Sequence, residues 1–268
     1  MVHARGSALC HDRGGRRRVH RPAALRGGAS PAQVVARTMS APARVALDLW
    51  SDVMCPWCVI GLAQIDKALA LLGDEVNATI RFHPFELNPD MPDEGEEQAA
   101  HIQRKYGRTP EQSAGVRETL RQAAERAGYS FDYVGEGEAP PAMMWNTRLA
   151  HRLLTWALHD FGPEKQMPLK RALFDAHFKE RRNVSDPEVL AAIAESVGLD
   201  RVAALRAMID PQIDAMVVAG QRQAWDMNVS GVPALVINGK LIVPGAQEPQ
   251  VYVDLIRKVV AREAAGFA

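Results

Sequence analysis

Apolar side chains recur along this chain with two periods, and the switches between them mark out the elements. Val45, Leu47 and Leu49 alternate with other residues, the two-residue spacing of a strand. Past Pro56 the spacing lengthens. Leu62, Ile65, Leu69 and Leu72 fall three and four apart, a helical stripe that stops at Gly73. Val76, Ala78, Ile80 and Phe82 then return to strand spacing on one face. A strand, a helix and a second strand in this order predict the start of a parallel crossover, because parallel strands need a connection long enough to bring the chain back to the same end.

Far downstream, Ala234 to Ile237 and Leu241 to Val243 are short apolar runs on either side of Asn238-Gly239-Lys240. Asn-Gly between two such runs predicts a hairpin, since both residues tolerate the positive φ that a tight turn requires. Val251, Leu255, Ile256 and Val259 predict a closing helix. Between the halves, residues 93–228 read as helix almost throughout. Thr109-Pro110-Glu111-Gln112 has the form of a cap, a first-turn proline and a capping-box partner, Asp186-Pro187 and Asp210-Pro211 repeat the cap-then-proline signal, and Gly128 and Gly198 are candidate stops. The expected fold is therefore α/β: a discontinuous sheet domain of residues 43–92 and 229–265, with an all-helical insertion domain of residues 93–228 between the two halves of the sheet.

Composition refines this picture at the N-terminus. Up to residue 38 the arginines from Arg5 to Arg37 face a single acid, Asp12, with many glycines and little apolar periodicity. Residues 1–42 are expected to be a disordered basic extension, since they cannot bury enough surface to offset their ordering entropy. The extension has no apolar run of the kind a secretory leader carries, and Met39 is a candidate start of translation. A cytoplasmic location is the expectation. Over the whole 268 residues, 47% are hydrophobic and Lys plus Arg equals Asp plus Glu at 32 each. That balance gives no reason to expect nucleic acid as a partner, and no uninterrupted apolar run suggests a membrane span.

The chemistry is expected at Cys55-Pro56-Trp57-Cys58, where the first strand turns into the first helix. A thiolate, rather than a thiol, attacks a disulfide. Cys55 would face the unpaired N–H groups and positive dipole end of the helix, both of which favour the anion. Pro56 suits the first helical turn, where no backbone hydrogen bond is lost. Cys58 follows one turn later, within bridging distance and more buried, so that the first cysteine can attack and the second can resolve the mixed disulfide. A zinc site would need further ligands, and neither a second Cys-x-x-Cys pair nor a spaced histidine pair is present. Cys10 reads as an inert thiol in the tail.

Val232-Pro233 precedes the strand Ala234 to Ile237. A proline at the mouth of a buried strand suggests a cis bond, the alternative being a trans proline that merely starts the strand. Beside the cysteines, Val232 could then offer its backbone to an extended substrate. Asp52 either affects thiol protonation or caps the turn. His83 reads first as a hydrogen-bonded structural histidine, and Trp145, Trp156, Phe174 and Phe178 as packing residues. Glu86 could face the site.

Taken together, Ser51-Asp52-Val53-Met54-Cys55-Pro56-Trp57-Cys58, Pro84-Phe85-Glu86-Leu87-Asn88-Pro89, Asn146-Thr147, Ala150-His151, Leu173-Phe174, Gly231-Val232-Pro233 and Gly245-Ala246-Gln247 resemble the DsbA family of thioredoxin-fold oxidoreductases, in the FrnE-like branch related to 2-hydroxychromene-2-carboxylate isomerase. The resemblance spans about residues 45–262. It implies Cys55 as nucleophile, Cys58 as resolving thiol, Pro233 as a cis-proline and a helical insertion over the site. Its implied partners are disulfide- or dithiol-containing proteins or small thiols. No cofactor or metal is implied beyond glutathione as a co-substrate, and the oligomeric state stays open. Two departures stand out. Leu49 occupies the place of a buried acid that assists proton movement in many relatives, and Trp57 replaces a histidine that stabilises the thiolate in the better-known DsbA site. A glutathione-dependent isomerase or transferase, and a redox-inert chaperone, are the competing functions.

Overall fold

The structure, a computed structural model, describes residues 41–266. The expected disorder of the extension, Cys10 and Met39 lie outside these residues. Strand β1 (Ala43–Ser51) pairs in parallel with β2 (Val76–Pro84), and helix α1 (Pro56–Leu72) makes the crossover between them. After the helical segment, β5 (Ala234–Ile237) pairs antiparallel with β1, and β6 (Leu241–Pro244) antiparallel with β5. The sheet order is β2-β1-β5-β6, so the halves at the two ends of the chain meet at β1. The fold is a mixed-sheet thioredoxin fold with a helical insertion, as expected from the residues.

Position in the sheet explains the pattern of β1. From Leu47 to Ser51 every residue is buried, because β1 has a neighbour on each side and packed layers on both faces. One face meets α1 and the last helix, α9 (Pro249–Ala264), in a core that includes Leu47, Leu49, Ile65, Phe82, Ile237 and Ile256. With the helical turn that follows it, α1 forms a run, Pro56–Glu75, long and apolar enough by length and composition to cross a bilayer, more so than the sequence alone suggested. Most of its apolar residues, among them Cys58, Val59, Leu62, Ile65, Ala68 and Leu72, are instead buried in this core, and Leu71 is exposed.

The expected hairpin forms with Asn238 and Gly239 both at positive φ, and Asn238 Oδ1 also accepts from Ala46 N at 2.7 Å. In α9, Ile256 and Val259 face the core and Leu255 packs half-buried against it as the spacing predicts, but the face is shifted at its start. Val251 is exposed, while Tyr252, Val253, Ile256 and Val259 face the core. Tyr252 supplies the bulk, and its hydroxyl remains satisfied by donating to Gly245 O.

The insertion holds α2 (Gln98–Tyr106), α3 (Pro110–Ala127), α4 (Arg148–Phe161), α5 (Pro163–Phe178), α6 (Pro187–Ser196), α7 (Arg201–Ile209) and α8 (Pro211–Asp226). The capping box of α3 is present, with Thr109 and Gln112 bonded reciprocally, and Asp186 and Asp210 cap α6 and α8. The segment is not wholly helical: β3 (Glu96–Glu97) and β4 (Met143–Met144) form a small antiparallel ribbon. Two residues per strand are too few to leave an alternating signal. Leu153, Leu169, Leu173, Leu190 and Ile213 build a second core among the helices. Phe174 and Phe178, on the same α5, pack instead into the core that contains both cysteines. Helix α5 therefore brings side chains of the insertion to the back of the motif.

Candidate active site

Cys55 is the residue that caps the N-terminus of α1, in an extended conformation, and Pro56 opens the first turn. The turn before it is held by Asp52: its carbonyl accepts from Cys55 N at 3.2 Å and its Oδ1 from Met54 N at 3.3 Å. Both cysteines are free thiols, and they approach each other to 3.3 Å. Cys58 is fully buried and Cys55 nearly so, whereas Trp57 between them is 37% exposed. The Val232–Pro233 bond is cis. The Cys55 thiol donates to Val232 O at 3.5 Å, so Cys55 and the strand-opening proline segment form one surface. Gly61, one turn further along α1, permits this approach, since a Cβ there would lie 3.1 Å from Pro233 Cγ.

The electrostatics depart from the expectation at Cys55. Its thiol is pushed well above the ordinary range, first by its hydrogen bond to the Cys58 sulfur, then by burial and by repulsion from Cys58 and Asp52. Cys58 moves the other way. Burial raises it, but the Cys55 hydrogen bond, the charge of Lys170, the Ser51 hydroxyl and the Asp52 backbone together outweigh burial and lower it. Within the pair the direction is therefore upward at Cys55 and downward at Cys58. The helix N-terminus was an incomplete guide, because it took no account of a buried cation behind Cys58 or of the acid beside Cys55.

Asp52 holds the turn through Met54 N and also lies within electrostatic reach of Cys55. It is 1% exposed, and its Oδ2 accepts from Leu87 N at 2.8 Å while His151 Nε2 lies 3.5 Å from Oδ1. Burial raises its carboxyl, and the contacts with His151, Leu87 N and Lys170 more than compensate, so Asp52 stays ionised and raises Cys55. The other acids and His83 have partners of their own. His83 stacks on Trp50 with ring centroids 4.4 Å apart and meets Asp48 Oδ1 at 2.7 Å, which is the structural reading. Asp48 is occupied by His83 and by a two-point pair with Arg81. Glu86 lies 3.7 Å from Arg148.

Lys170 and His177, both on α5 and both buried, were missed by the sequence reading. A signal existed for Lys170: it sits three and four residues before Leu173 and Phe174, on the apolar stripe of its helix. Beside Pro56 a cavity of about 580 Å³ opens between α1, α3 and the end of α5, lined by Arg117, Arg121, Arg181, Tyr129, Phe131 and Phe178 among others. Arg181 is held at φ 57, with its Nε buried and unpartnered. Among the described residues no group of three or more His, Cys, Asp or Glu could hold a metal ion.

A free dithiol at the start of a helix, facing a cis-proline segment on a mixed sheet, defines a thioredoxin-fold protein of the oxidoreductase type. The DSBA-like thioredoxin domain model matches residues 46–257, and the chain belongs to that family. It is 26% identical over 214 residues to the uncharacterized protein YwbO of Bacillus subtilis, covering 78% of this chain and 94% of that one. Among solved structures it is similar to a probable DsbA oxidoreductase from Streptomyces coelicolor, with a TM-score of 0.71 and 27% identity over 80% of this chain and 89% of the other. The cytosolic disulfide reductase DsbM of Pseudomonas aeruginosa, solved with GSH, shares the fold at 16% identity and a TM-score of 0.52, covering 82% of this chain and 98% of that one.

Proposed function

We propose that this protein exchanges disulfides through Cys55 as the attacking sulfur and Cys58 as the resolving one, acting on protein or small-molecule disulfides in the cytoplasm. The observation that carries the reading is the pair of free thiols 3.3 Å apart, one of them against the Val232 carbonyl. As Cys55 attacks a substrate disulfide, its proton passes to the Cys58 thiolate and the first substrate sulfur leaves as a thiolate. Cys58 then gives up that proton and attacks Cys55. The second substrate sulfur departs and takes the proton, leaving a Cys55–Cys58 disulfide and a substrate reduced by two electrons. Run backwards, the same steps oxidise a dithiol. An extended substrate segment pairing with the Val232 backbone accounts for recognition without a fixed sequence.

The test is reduction of insulin disulfides with a thiol reductant, comparing the wild type with Cys55→Ser. Turnover that disappears in the variant supports the proposal, and turnover that persists in it refutes the assignment of Cys55. The cavity beside Pro56 supports glutathione as a co-substrate through Arg117 and Arg181, which suit carboxylates, although Arg121 in the same lining is held by Glu118 and Glu125. If Cys58→Ala kept full glutathione-linked activity while disulfide exchange was absent, an isomerase or transferase would replace this reading. If Cys55→Ser still protected clients from aggregation while the wild type showed no exchange, a chaperone would.

A further inference from the structure

Lys170 has no ordinary reason to be where it is. Its side chain is 0% exposed, in the company of the largest core residues, and its ammonium has no hydrogen-bond partner. It sits 4.7 Å from the centroid of Phe174 and 5.6 Å from that of Phe82, two rings of the core that also contains Cys55 and Cys58. A buried unpaired ammonium is strongly unfavourable unless something compensates its lost hydration. The rings compensate in part. The remaining compensation comes from anions in the same pocket, namely Cys58, Asp52 and Cys55.

We propose that Lys170 is the positioning residue that holds the resolving sulfur as a thiolate, adding a charge to the neutral hydroxyl that Ser51 offers from the sheet. This rests on the disulfide-exchange reading above. The ammonium reaches the site from α5, so the helical insertion contributes to the chemistry of the motif as well as covering it. The groups around the pair are few. The turn before α1 contributes Asp52, α4 contributes His151, α5 contributes His177 with Arg181 just past its end, and α9 contributes Tyr252. His177 is held neutral, with its value lowered to about 4 by burial and then by Arg181. Asp52 is already bonded to Met54 N and Leu87 N and lies against His151. Lys170 is thus the cation among these groups that is wholly buried as well as unbonded, whereas Arg181 is half-buried with an unpartnered Nε. Burial lowers its own value to about 8 against the opposing pull of Cys58, Asp52 and Cys55. Its charge and that of the thiolate must then depend on each other.

That reciprocity gives the test. In the wild-type protein, the Lys170 side-chain carbon next to nitrogen is followed by NMR against pH, in the dithiol and in the disulfide form. The midpoint is expected about one pH unit lower in the disulfide form, a ten-fold change in proton affinity, because the thiolate partner is gone. Identical midpoints overturn the proposal without any mutation. Lys170→Met, which removes the charge and keeps the length, is expected to move the first thiolate absorbance midpoint upward by about ten-fold in proton concentration. Lys170→Arg is expected to restore it. A folded Lys170→Met with the wild-type midpoint leaves Lys170 as packing alone and refutes the idea. Should Lys170→Met fail to fold, the wild-type NMR titration decides. Insulin turnover by the wild type is measured in parallel. Loss of the function reading would appear as no turnover with coupling intact, and loss of this inference as turnover without coupling.

Discussion

Gln166 of α5 and Phe82 of β2 are joined at both ends of one side-chain amide: Oε1 accepts from Phe82 N at 2.8 Å, and Nε2 donates to Phe82 O at 2.8 Å. β2 is an edge strand, and without a partner its outward N–H and C=O groups would be buried and unsatisfied under the insertion. Gln166 stands in for the missing neighbour and also donates to Leu154 O, tying α4, α5 and the sheet together. Gln166→Leu keeps the volume and abandons these groups. Its unfolding free energy in urea is expected to fall by about 3 kcal/mol or more, at 1–3 kcal/mol for each stranded group. A loss under about 1 kcal/mol would mean that the groups find other partners.

The shared proton of the cysteine pair separates the roles of its members. Cys58→Ser keeps the attacking sulfur but removes the anion that takes its proton and the thiol that resolves. Mixed disulfides with substrate are expected to form slowly and then persist, and turnover should drop by about a hundred-fold or more, since only solvent or added thiol remains to resolve them. Cys55→Ser should form none. The two outcomes are read by non-reducing gels after acid quench. Persistent adducts on Cys55→Ser rather than on Cys58→Ser would exchange the assignments.

How much of this was legible in the residues depends on the range of the interaction. β1, α1, β2, the Asn238-Gly239 hairpin and the caps at Thr109, Asp186 and Asp210 were readable because spacing and local hydrogen bonding alone specify them. The cysteine pair and Val232-Pro233 were readable because a short segment carries each. Lys170, His177 and Gln166 were not, since their meaning comes from the position of α5 against β2 and α1, a contact between segments more than eighty residues apart for Gln166 and Phe82. The downward direction at Cys58 was not legible for the same reason: the helix terminus is local and the ammonium is not. In α9, Val251 and Tyr252 compete for one face, and side-chain bulk rather than period decides between them.

Gly61 offers a test of the contact between α1 and the proline segment. An alanine gains about 1 kcal/mol of helix propensity at an ordinary helical glycine. Here its Cβ would stand 3.1 Å from Pro233 Cγ and 3.6 Å from Ala246 Cβ, so the helix start and the Val232 carbonyl must shift apart. Gly61→Ala is expected to gain none of the propensity in a thermal melt and to slow disulfide exchange. Gly61→Val should destabilise by about 1–3 kcal/mol, as overpacking does. A Gly61→Ala variant that is both stabilised and fully active would show that the two segments can part freely.

Acid destabilises the folded chain through His177. The ring is 4% exposed, its Nδ1 has no partner, and burial together with Arg181 lowers its value from 6.5 to about 4, against a weaker pull from Asp52. Below the unfolded value of 6.5 the unfolded chain binds a proton at this position while the folded chain does not, so stability must rise with pH through the window from 4 to 6.5. Falling pH therefore costs about 3 kcal/mol across the window, at 1.36 kcal/mol per unit. Asp52 and Asp48, whose values are lowered from 3.8, lose their contributions only below that window. His177→Gln is expected to flatten the urea-denaturation profile between pH 5 and pH 6.5 relative to the wild type, the range in which the unfolded histidine takes up its proton. Parallel profiles for the two proteins would place the proton uptake elsewhere and leave His177 free to ionise in the folded state.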